Sequence, residues 1–192
     1  AHRLGINTIK AELENLSLYY LDREKYLEID SLLNTGAINR KKNIVAMQKK
    51  IADMLIEKKI KFEISARIKS IYSIYKKIYV KGRKFEEIYD IMAIRIITVT
   101  EVNCYEILGY IHSIYKPIPG RFKDYISVPK PNMYQSLHTT LIGPKGTPFE
   151  VQIRTWDMHR IAEFGIAAHW AYKEANKNKK SNVIVQDDKL AW

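Results

Sequence analysis

Two periods of apolar residues run along this chain of 192 residues. Apolar side chains at helical spacing predict helices over residues 6–33, 40–59, 67–80, 102–116 and 156–174. Alternating or β-branched runs predict strands at 61–65, 90–100, 122–128, 136–142 and 148–154. This order of elements predicts an α+β fold, in which helices flank a mixed β-sheet of about five strands.

The order of predicted elements divides the chain into three segments. We expect an N-terminal helical segment over residues 1–60, a sheet-containing domain over 61–175, and a flexible tail with the start of a following element over 176–192. Both ends resemble interrupted secondary structure, so we expect a piece of a longer protein.

Net charge narrows the class of partner. The formal net charge is +11 and the isoelectric point is near 9.5, which predicts an anionic partner. Nucleic acid, nucleotides and acidic membrane surfaces all qualify, and charge alone does not choose among them. The lysine clusters at 40–43, 48–51, 57–61 and 177–180 are typical of solvated faces.

Several functional classes find no support in the sequence. No apolar run approaches the roughly 20 residues that span a bilayer, so we expect no membrane partner. The single cysteine, Cys104, excludes an internal disulfide, fits a cytoplasmic location, and is expected to pack inside a helix. The histidines form no HExxH motif, so a histidine-based metal hydrolase has no support.

The strand at 148–154 separates apolar side chains from reactive ones. Phe149, Val151 and Ile153 alternate with Glu150, Gln152 and Arg154, so one set enters a core and the other faces one surface. A carboxylate, an amide and a guanidinium can serve as a base, a hydrogen-bonding group and an anion clamp. The preceding stretch adds polar and aromatic residues that suit a phosphorylated, ring-bearing ligand: Arg121, Lys123, Lys130, Asn132, Tyr134, Gln135 and His138.

Phosphate binding must depend on side chains, because the chain has neither a Walker loop nor a GxGxxG motif. In the helix predicted over 67–80, Lys69, Ser73 and Lys77 are four residues apart and share one face. Arg67 is expected at the start of this helix, where backbone N–H groups favour anions. The alternative is a solvated basic face.

Two charged residues mark the strand at 90–100. Asp90 at its start is a candidate Mg²⁺ ligand or a turn residue. Arg95 lies inside an apolar strand and therefore needs a partner or a function. Strict alternation places the two on opposite faces, so a joint role requires a bulge, a twist or action from the strand's end.

The loop before the strand at 136–142 contains an aromatic residue between prolines. Tyr134 can stack on a nucleobase, with Asn132 and Gln135 to read the base edge. His138 can contact a phosphate or a ribose. A purely structural role is the alternative for each of these residues, since the chain has 13 tyrosines and a strand histidine is often structural.

Long stretches of the chain resemble the synthetase domain of the RelA/SpoT family. The matching stretches are ARIKSIYSIYKKI (66–78), YDIMAIRI (89–96) and the segments 109–140, 143–155 and 158–173. Residues 1–21 also resemble the family's helical connector, which implies an N-terminal helical connector over 1–60. The resemblance implies a nucleotidyltransferase-like fold for 61–175. It also implies transfer of diphosphate from ATP to the 3′-hydroxyl of GDP or GTP, which gives ppGpp or pppGpp and AMP.

The resemblance also implies roles for individual residues. Asp90 would bind Mg²⁺, and Glu150 would be the catalytic base and a second metal contact. Arg67, Lys69, Ser73, Lys77 and Arg95 would bind ATP. Tyr134 would stack on guanine, Asn132 would bind its edge, and Lys130 and His138 would meet guanosine phosphates; Arg121, Lys123 and Gln135 complete the GDP/GTP set.

The stretch Arg121–Asp124 resembles the RxKD signature of bifunctional synthetase–hydrolases. This implies a hydrolase domain before Ala1 and regulatory domains after Trp192. Separately, membership of the family would imply a contact with the ribosome or RNA in the longer protein. The chain departs from the family pattern at Ala66 and Ile68, where Gly and Pro are usual, and at Met133, where Gly is usual.

Two other functions stay open from the sequence. One is a non-catalytic module that binds a nucleotide or RNA through the basic helices and tyrosines. The other is a catalytically silent fragment that needs its flanking segments.

Overall fold

The computed structural model describes residues 7–35 and 37–165 of the chain. Helices α1 (Asn7–Leu21), α2 (Arg23–Asn34) and α3 (Ala37–Glu57) precede the sheet. The following elements are β1 (Phe62–Ile68), α4 (Ile71–Tyr75), a π-helical turn (Lys76–Val80), a 3₁₀ turn (Phe85–Glu87), β2 (Met92–Thr98), α5 (Glu101–Ile114), β3 (Lys116–Pro117), β4 (Lys123–Asp124), β5 (Leu137–Ile142), a second 3₁₀ turn (Pro144–Gly146) and β6 (Pro148–Thr155). The final helix, α6, is described over 156–165.

The described strands form one mixed sheet. Its order is β1-β2-β6-β5-β3, and β4 pairs with β5. Strands β2 and β6 are parallel, whereas the other pairs are antiparallel. The predicted α+β class and mixed sheet are confirmed. The sheet has six strands rather than about five, because β3 is only two residues long and too short to show a period.

Strand register sorts the side chains between two faces of the sheet. Ala93 of β2 pairs with Glu150 of β6, and Glu150 pairs with Thr140 of β5, so these three side chains share one face. Ile94 and Val151, one residue further along, pair on the opposite face and are fully buried. The alternation predicted for β6 is therefore confirmed, with Glu150, Gln152 and Arg154 on the polar face.

The apolar face packs against α3 and α5. The buried helix residues are Ile44, Met47, Ile51 and Leu55 of α3 and Cys104, Ile107 and Ile111 of α5. The helical, buried position expected for Cys104 is confirmed. A smaller buried cluster of Ile29, Ile74 and Ile88 joins α2 to α4 and to the segment that precedes β2. Hydrophobic burial thus leaves the other face of the sheet available for polar chemistry.

The single helix predicted over 6–33 is wrong, because the chain breaks at Asp22. The Asp22 carboxylate accepts a hydrogen bond from the backbone N–H of Lys25 at 3.3 Å and so caps a new helix, α2. The apolar residues whose helical spacing predicted this helix include four that are exposed: Ile9, Leu13, Leu16 and Tyr20. Leu18 and Ile29 are buried instead.

The helix predicted from residue 67 begins at Ile71. Strand β1 extends through Arg67 because it pairs with β2 along its whole length, from Phe62 opposite Thr98 to Ile68 opposite Met92. The expected position of Arg67 at a helix start is therefore wrong. Lys69 also lies outside the helix, so the four-residue spacing with Ser73 and Lys77 does not form one helical face.

The strand predicted over 122–128 is reduced to Lys123–Asp124. The Asp124 carboxylate accepts hydrogen bonds from the backbone N–H groups of Ile126 and Ser127, each at 2.9 Å, and this turns the chain. The other predicted strands and the helices at 40–59 and 102–116 are confirmed to within a few residues, except that β1 ends three residues later than predicted. The predicted end of α6 and the tail at 176–192 lie outside the described residues. No described helix is long and apolar enough to cross a membrane.

We expect Leu141→Ala to lower the free energy of unfolding by about 2–5 kcal/mol, because Leu141 is fully buried and its truncation leaves a cavity. Urea denaturation followed by circular dichroism measures the change. The control is Val102→Ala on α5, where the side chain is 68% exposed and the effect should stay within about 0.5 kcal/mol. Equal losses in the two variants would contradict the assigned core.

Candidate active site

A polar cavity of about 200 Å³ opens on the polar face of the sheet. Strand β1 contributes Arg67, the turn before β2 contributes Asp90, and β6 contributes Glu150 and Gln152. Lys69, Ser70 and Ser73 line it from the start of α4, and α1 closes it with Lys10, Ala11 and Glu14. Asp90 and Glu150, which lie far apart in the chain, therefore face the same cavity.

Asp90 is held between two lysines. The Lys69 Nζ lies 2.6 Å from Asp90 Oδ2, and the Lys77 Nζ lies 2.6 Å from Oδ1 and 2.7 Å from Oδ2. Burial by itself raises the pKa of Asp90, but the two ammonium groups outweigh burial, so this pKa is lowered. Burial lowers the pKa of Lys77. Asp90 lies two residues before β2, where the alternation of the strand does not apply.

Glu150 has the opposite electrostatic environment. Its Oε1 accepts a hydrogen bond from Gln152 Nε2 at 2.7 Å and lies 3.4 Å from His138 Nδ1. Burial raises the pKa of Glu150, and the negative charge of Asp90 raises it further, against the opposing hydrogen bond from Gln152. A buried carboxylate with a raised pKa is a stronger base than an exposed one.

Tyr134 and His138 form a compact aromatic cluster beside Glu150. The Tyr134 hydroxyl lies 2.8 Å from His138 Nε2, and the Lys130 Nζ lies 5.0 Å from the centre of the Tyr134 ring. Burial, assisted by the charges of Lys130 and Arg154, lowers the pKa of His138 to about 3. His138 is therefore neutral, with one ring nitrogen directed to Tyr134 and the other to Glu150.

The loop that carries Tyr134 contains a strained residue. Met133 has φ = +60°, a left-handed conformation that favours glycine. Its N–H donates to Lys130 O at 2.8 Å, and Asn132 Oδ1 accepts from the Tyr134 N–H at 3.3 Å, which closes the turn. Gln135 Nε2 donates to Ile126 O at 3.2 Å. Asn132 and Gln135 thus hold the loop in place.

Two arginines lie deeper on the polar face. Arg95 Nη2 pairs with Glu163 Oε1 of α6 at 3.0 Å. Arg154 is fully buried, 5.7 Å from the centre of the Tyr134 ring, and none of its guanidinium nitrogens has a hydrogen-bond partner in the described part of the chain. Burial lowers the pKa of Arg154 to about 10. The exposed anion clamp expected from the strand pattern is therefore a buried side chain.

Two remaining predicted residues, Lys123 and Arg121, are not among those that line the cavity. Lys123 of β4 pairs with His138 of β5, which places both on the polar face. The Arg121 guanidinium lies 5.3 Å from the centre of the Tyr89 ring, next to Asp90 in the chain. Sequence reasoning missed Glu163, which lies in the matching stretch 158–173 but received no role, and the contribution of α1 to the cavity.

Comparison with known proteins decides the family. The family described as "Region found in RelA / SpoT proteins" matches residues 66–177, more than half of the chain. The chain belongs to the RelA/SpoT family.

RelA/SpoT relatives match the whole chain at high identity. A GTP pyrophosphokinase from Myxococcus xanthus is 51% identical over 192 residues, which cover 100% of this chain and 25% of the relative. The bifunctional (p)ppGpp synthase/hydrolase RelA from Mycobacterium tuberculosis is 46% identical over 195 residues, with 100% and 26% coverage. The chain thus spans about a quarter of the length of these relatives.

Solved structures of small alarmone synthetases share this fold. Small alarmone synthetase 2 from Bacillus subtilis superposes with a TM-score of 0.57 at 28% identity, over 80% of this chain and 84% of that one. Small alarmone synthetase 1 from the same organism, bound to its product pppGpp, gives 0.57 at 21% identity over 81% and 84%. At that lower identity the likeness concerns the fold.

We expect Met133→Gly to raise the free energy of unfolding by up to about 1 kcal/mol, because glycine adopts φ = +60° without strain. Met133→Val should lower it, since a β-branched residue tolerates this conformation least. Urea denaturation of the three proteins measures the order. A Gly variant less stable than the Val variant would contradict the loop geometry.

We expect His159→Gln to flatten the dependence of stability on pH between 6.5 and 4. Burial, reinforced by Arg154 and Arg95, lowers the pKa of His159 from 6.5 to about 4. The folded state therefore binds fewer protons than the unfolded chain, and the His159 contribution is present above pH 6.5 and lost as the pH falls toward 4. Denaturation curves at several pH values measure this; parallel profiles for wild type and variant would contradict it.

Proposed function

We propose that this chain carries an alarmone synthetase site that transfers diphosphate from ATP to the 3′-hydroxyl of GDP or GTP, giving ppGpp or pppGpp and AMP. The proposal rests on one observation: Asp90 and Glu150 line the same cavity as Arg67, Lys69 and Ser73. The names of the relatives, GTP pyrophosphokinase and (p)ppGpp synthase/hydrolase, support the same reaction. A structural neighbour bound to pppGpp adds support at the level of the fold.

The cations of the cavity suit the transferred group. Transfer of a diphosphate requires neutralised charge and an aligned nucleophile more than covalent assistance. We assign Arg67, Lys69, Ser73, Lys77 and Arg95 to ATP. Lys69 and Lys77 already meet at Asp90, so phosphate oxygens would replace part of their contact with this carboxylate.

The donor set fits Mg²⁺. No cluster of three or more His, Cys, Asp or Glu side chains suited to a metal occurs among the described residues. Mg²⁺ is commonly held by one or two carboxylates together with substrate phosphates, which is what Asp90 and Glu150 offer. When bound there, Mg²⁺ would neutralise charge on the phosphates.

Glu150 is assigned as the base that accepts the proton of the 3′-hydroxyl. Its raised pKa brings its basicity closer to neutral pH, and the hydrogen bond from Gln152 fixes the direction of its carboxylate. The neutral ring of His138 lies beside it and can orient it without adding charge.

The guanosine nucleotide is assigned to the residues around Tyr134 and His138, beside Glu150. Tyr134 would stack on guanine and Asn132 would bind its edge, while Arg121, Lys123 and Lys130 would meet the phosphates. Gln135 acts through the loop that it holds, and His138 would donate a hydrogen bond rather than a charge. A division into a connector over 1–60 and a synthetase domain over 61–175, a cytoplasmic location, and a ribosome or RNA contact in the longer protein remain predictions.

A non-catalytic RNA-binding module explains the same surface less well. Asp90 and Glu150 are both mostly buried in the cavity, with side-chain exposures of 19% and 16%. Acidic groups at the centre of a basic cleft repel a phosphate backbone that arrives without metal. They suit a nucleotide that arrives with Mg²⁺.

We expect Glu150→Gln to lower turnover of ATP and GDP by about 10²–10⁴-fold, the usual contribution of a positioned general base. Asp90→Asn should lower turnover and raise the Mg²⁺ concentration needed for half-maximal rate. Chromatographic separation of AMP and ppGpp measures both.

The matched controls are Asp53→Asn and Glu57→Gln, which change exposed carboxylates of α3 and should leave turnover unchanged. The assay is run on this chain and on a longer one with its flanking segments, which tests whether the piece alone is silent. Undiminished AMP release by Glu150→Gln would sink the assigned mechanism.

A further inference from the structure

Helix α1 forms a wall of the candidate active-site cavity although it precedes residues 66–177, the region that the family description matches. The relatives match this helix as well, because they cover the whole chain. Lys10, Ala11 and Glu14 of α1 line the cavity that contains Asp90 and Glu150, so one wall is built from the segment predicted to be a connector.

Helix α1 is fixed to the phosphate-directed side of the site. The Asn15 Oδ1 accepts a hydrogen bond from the backbone N–H of Tyr72 at 3.0 Å, in the first turn of α4. Helix α4 also carries Ser73, and Lys77 follows it directly. Leu18, one turn further along α1, is only 5% exposed and anchors the helix. The position of α1 is therefore coupled to the residues assigned to ATP.

Lys10 is the least committed of the lysines around the cavity. Lys69 and Lys77 both contact Asp90 at 2.6 Å, whereas the one ion pair of Lys10 in the described part of the chain is with Glu14, at 3.8 Å between Nζ and Oε1. The side chains of Lys10 and Glu14 are each 29% exposed, so the pair is weak and partly solvated. An arriving phosphate is a stronger partner for this ammonium than Glu14.

The size of the cavity selects the part of the nucleotide that enters it. The cavity has a volume of about 200 Å³, which is less than the roughly 300 Å³ at the lower end of pockets that hold a whole ligand. Because its walls are also charged, it suits a phosphate chain better than a purine. Ala11, between Lys10 and Glu14 on α1, has a short side chain, so a longer side chain there would occupy the space proposed for the phosphates.

We propose that Lys10 is a binding residue for the ATP phosphates, which it contacts from the α1 side of the cavity that Lys69 also lines, while Glu14 orients its ammonium. This inference rests on the proposed synthetase function and deepens it. It makes α1 a working part of the ATP subsite and not only a connector.

The test compares Lys10→Met with wild type in binding of ATP·Mg²⁺ and AMP by calorimetry, and in steady-state kinetics. We expect a Kd and a KM for ATP about 5- to 20-fold higher, the effect of losing one charge-assisted hydrogen bond at a partly exposed site. AMP binding should be unchanged, because AMP lacks the β- and γ-phosphates. Lys10→Arg should restore most of the ATP affinity.

Two further variants separate this role from a structural one. Ala11→Met should weaken ATP binding by filling the cavity, with an unchanged circular dichroism spectrum. Lys42→Met, which removes an exposed lysine of α3 remote from the cavity, should leave ATP binding unchanged.

Equal ATP affinity in Lys10→Met and wild type would overturn the proposal, as would equal losses for ATP and AMP. If wild type binds ATP·Mg²⁺ but forms neither AMP nor ppGpp, the synthetase function fails and the binding role of Lys10 is still decided by the calorimetry.

Discussion

The position of β6 between β2 and β5 is the constraint on which the candidate active site depends. Phe149, Val151 and Ile153 are buried with α5 against one face of the sheet, so Glu150 must point to the other. A slip of one residue in either pairing would turn Glu150 into the core and expose the apolar set. Hydrophobic burial on one face therefore aims the reactive carboxylate on the other.

The two carboxylates of the cavity are prepared for different tasks by their surroundings. Asp90 lies between two ammonium groups that lower its pKa and keep it ionised, as a metal ligand must be. Among the described residues no ammonium lies within hydrogen-bonding distance of Glu150, and burial raises its pKa, which suits a group that must accept a proton. Opposite pKa shifts in neighbouring acids are a common sign of divided catalytic roles.

Two features of the candidate site are expected to lower the free energy of unfolding. Arg154 is fully buried with no hydrogen bond to its guanidinium nitrogens among the described residues, and Met133 holds a conformation that favours glycine. Such buried charge and backbone strain are destabilising, and they persist where the surrounding structure enforces them. Both residues lie beside Tyr134, the side chain assigned to stack on guanine. The extended apolar core beneath the sheet provides the compensating stability.

The sequence by itself determined the α+β class, most strand positions, the two faces of β6 and the composition of the site, because these follow from local periods and from motifs within one segment. Only the tertiary structure decided that Lys69 and Lys77 meet at Asp90, since their four-residue spacings suggested one helical face and Lys69 lies outside the helix. It also broke the first helix at Asp22 and brought α1 to the cavity. Strand pairing and helix packing join residues that are distant along the chain, and no local pattern encodes which distant side chains will share a cavity.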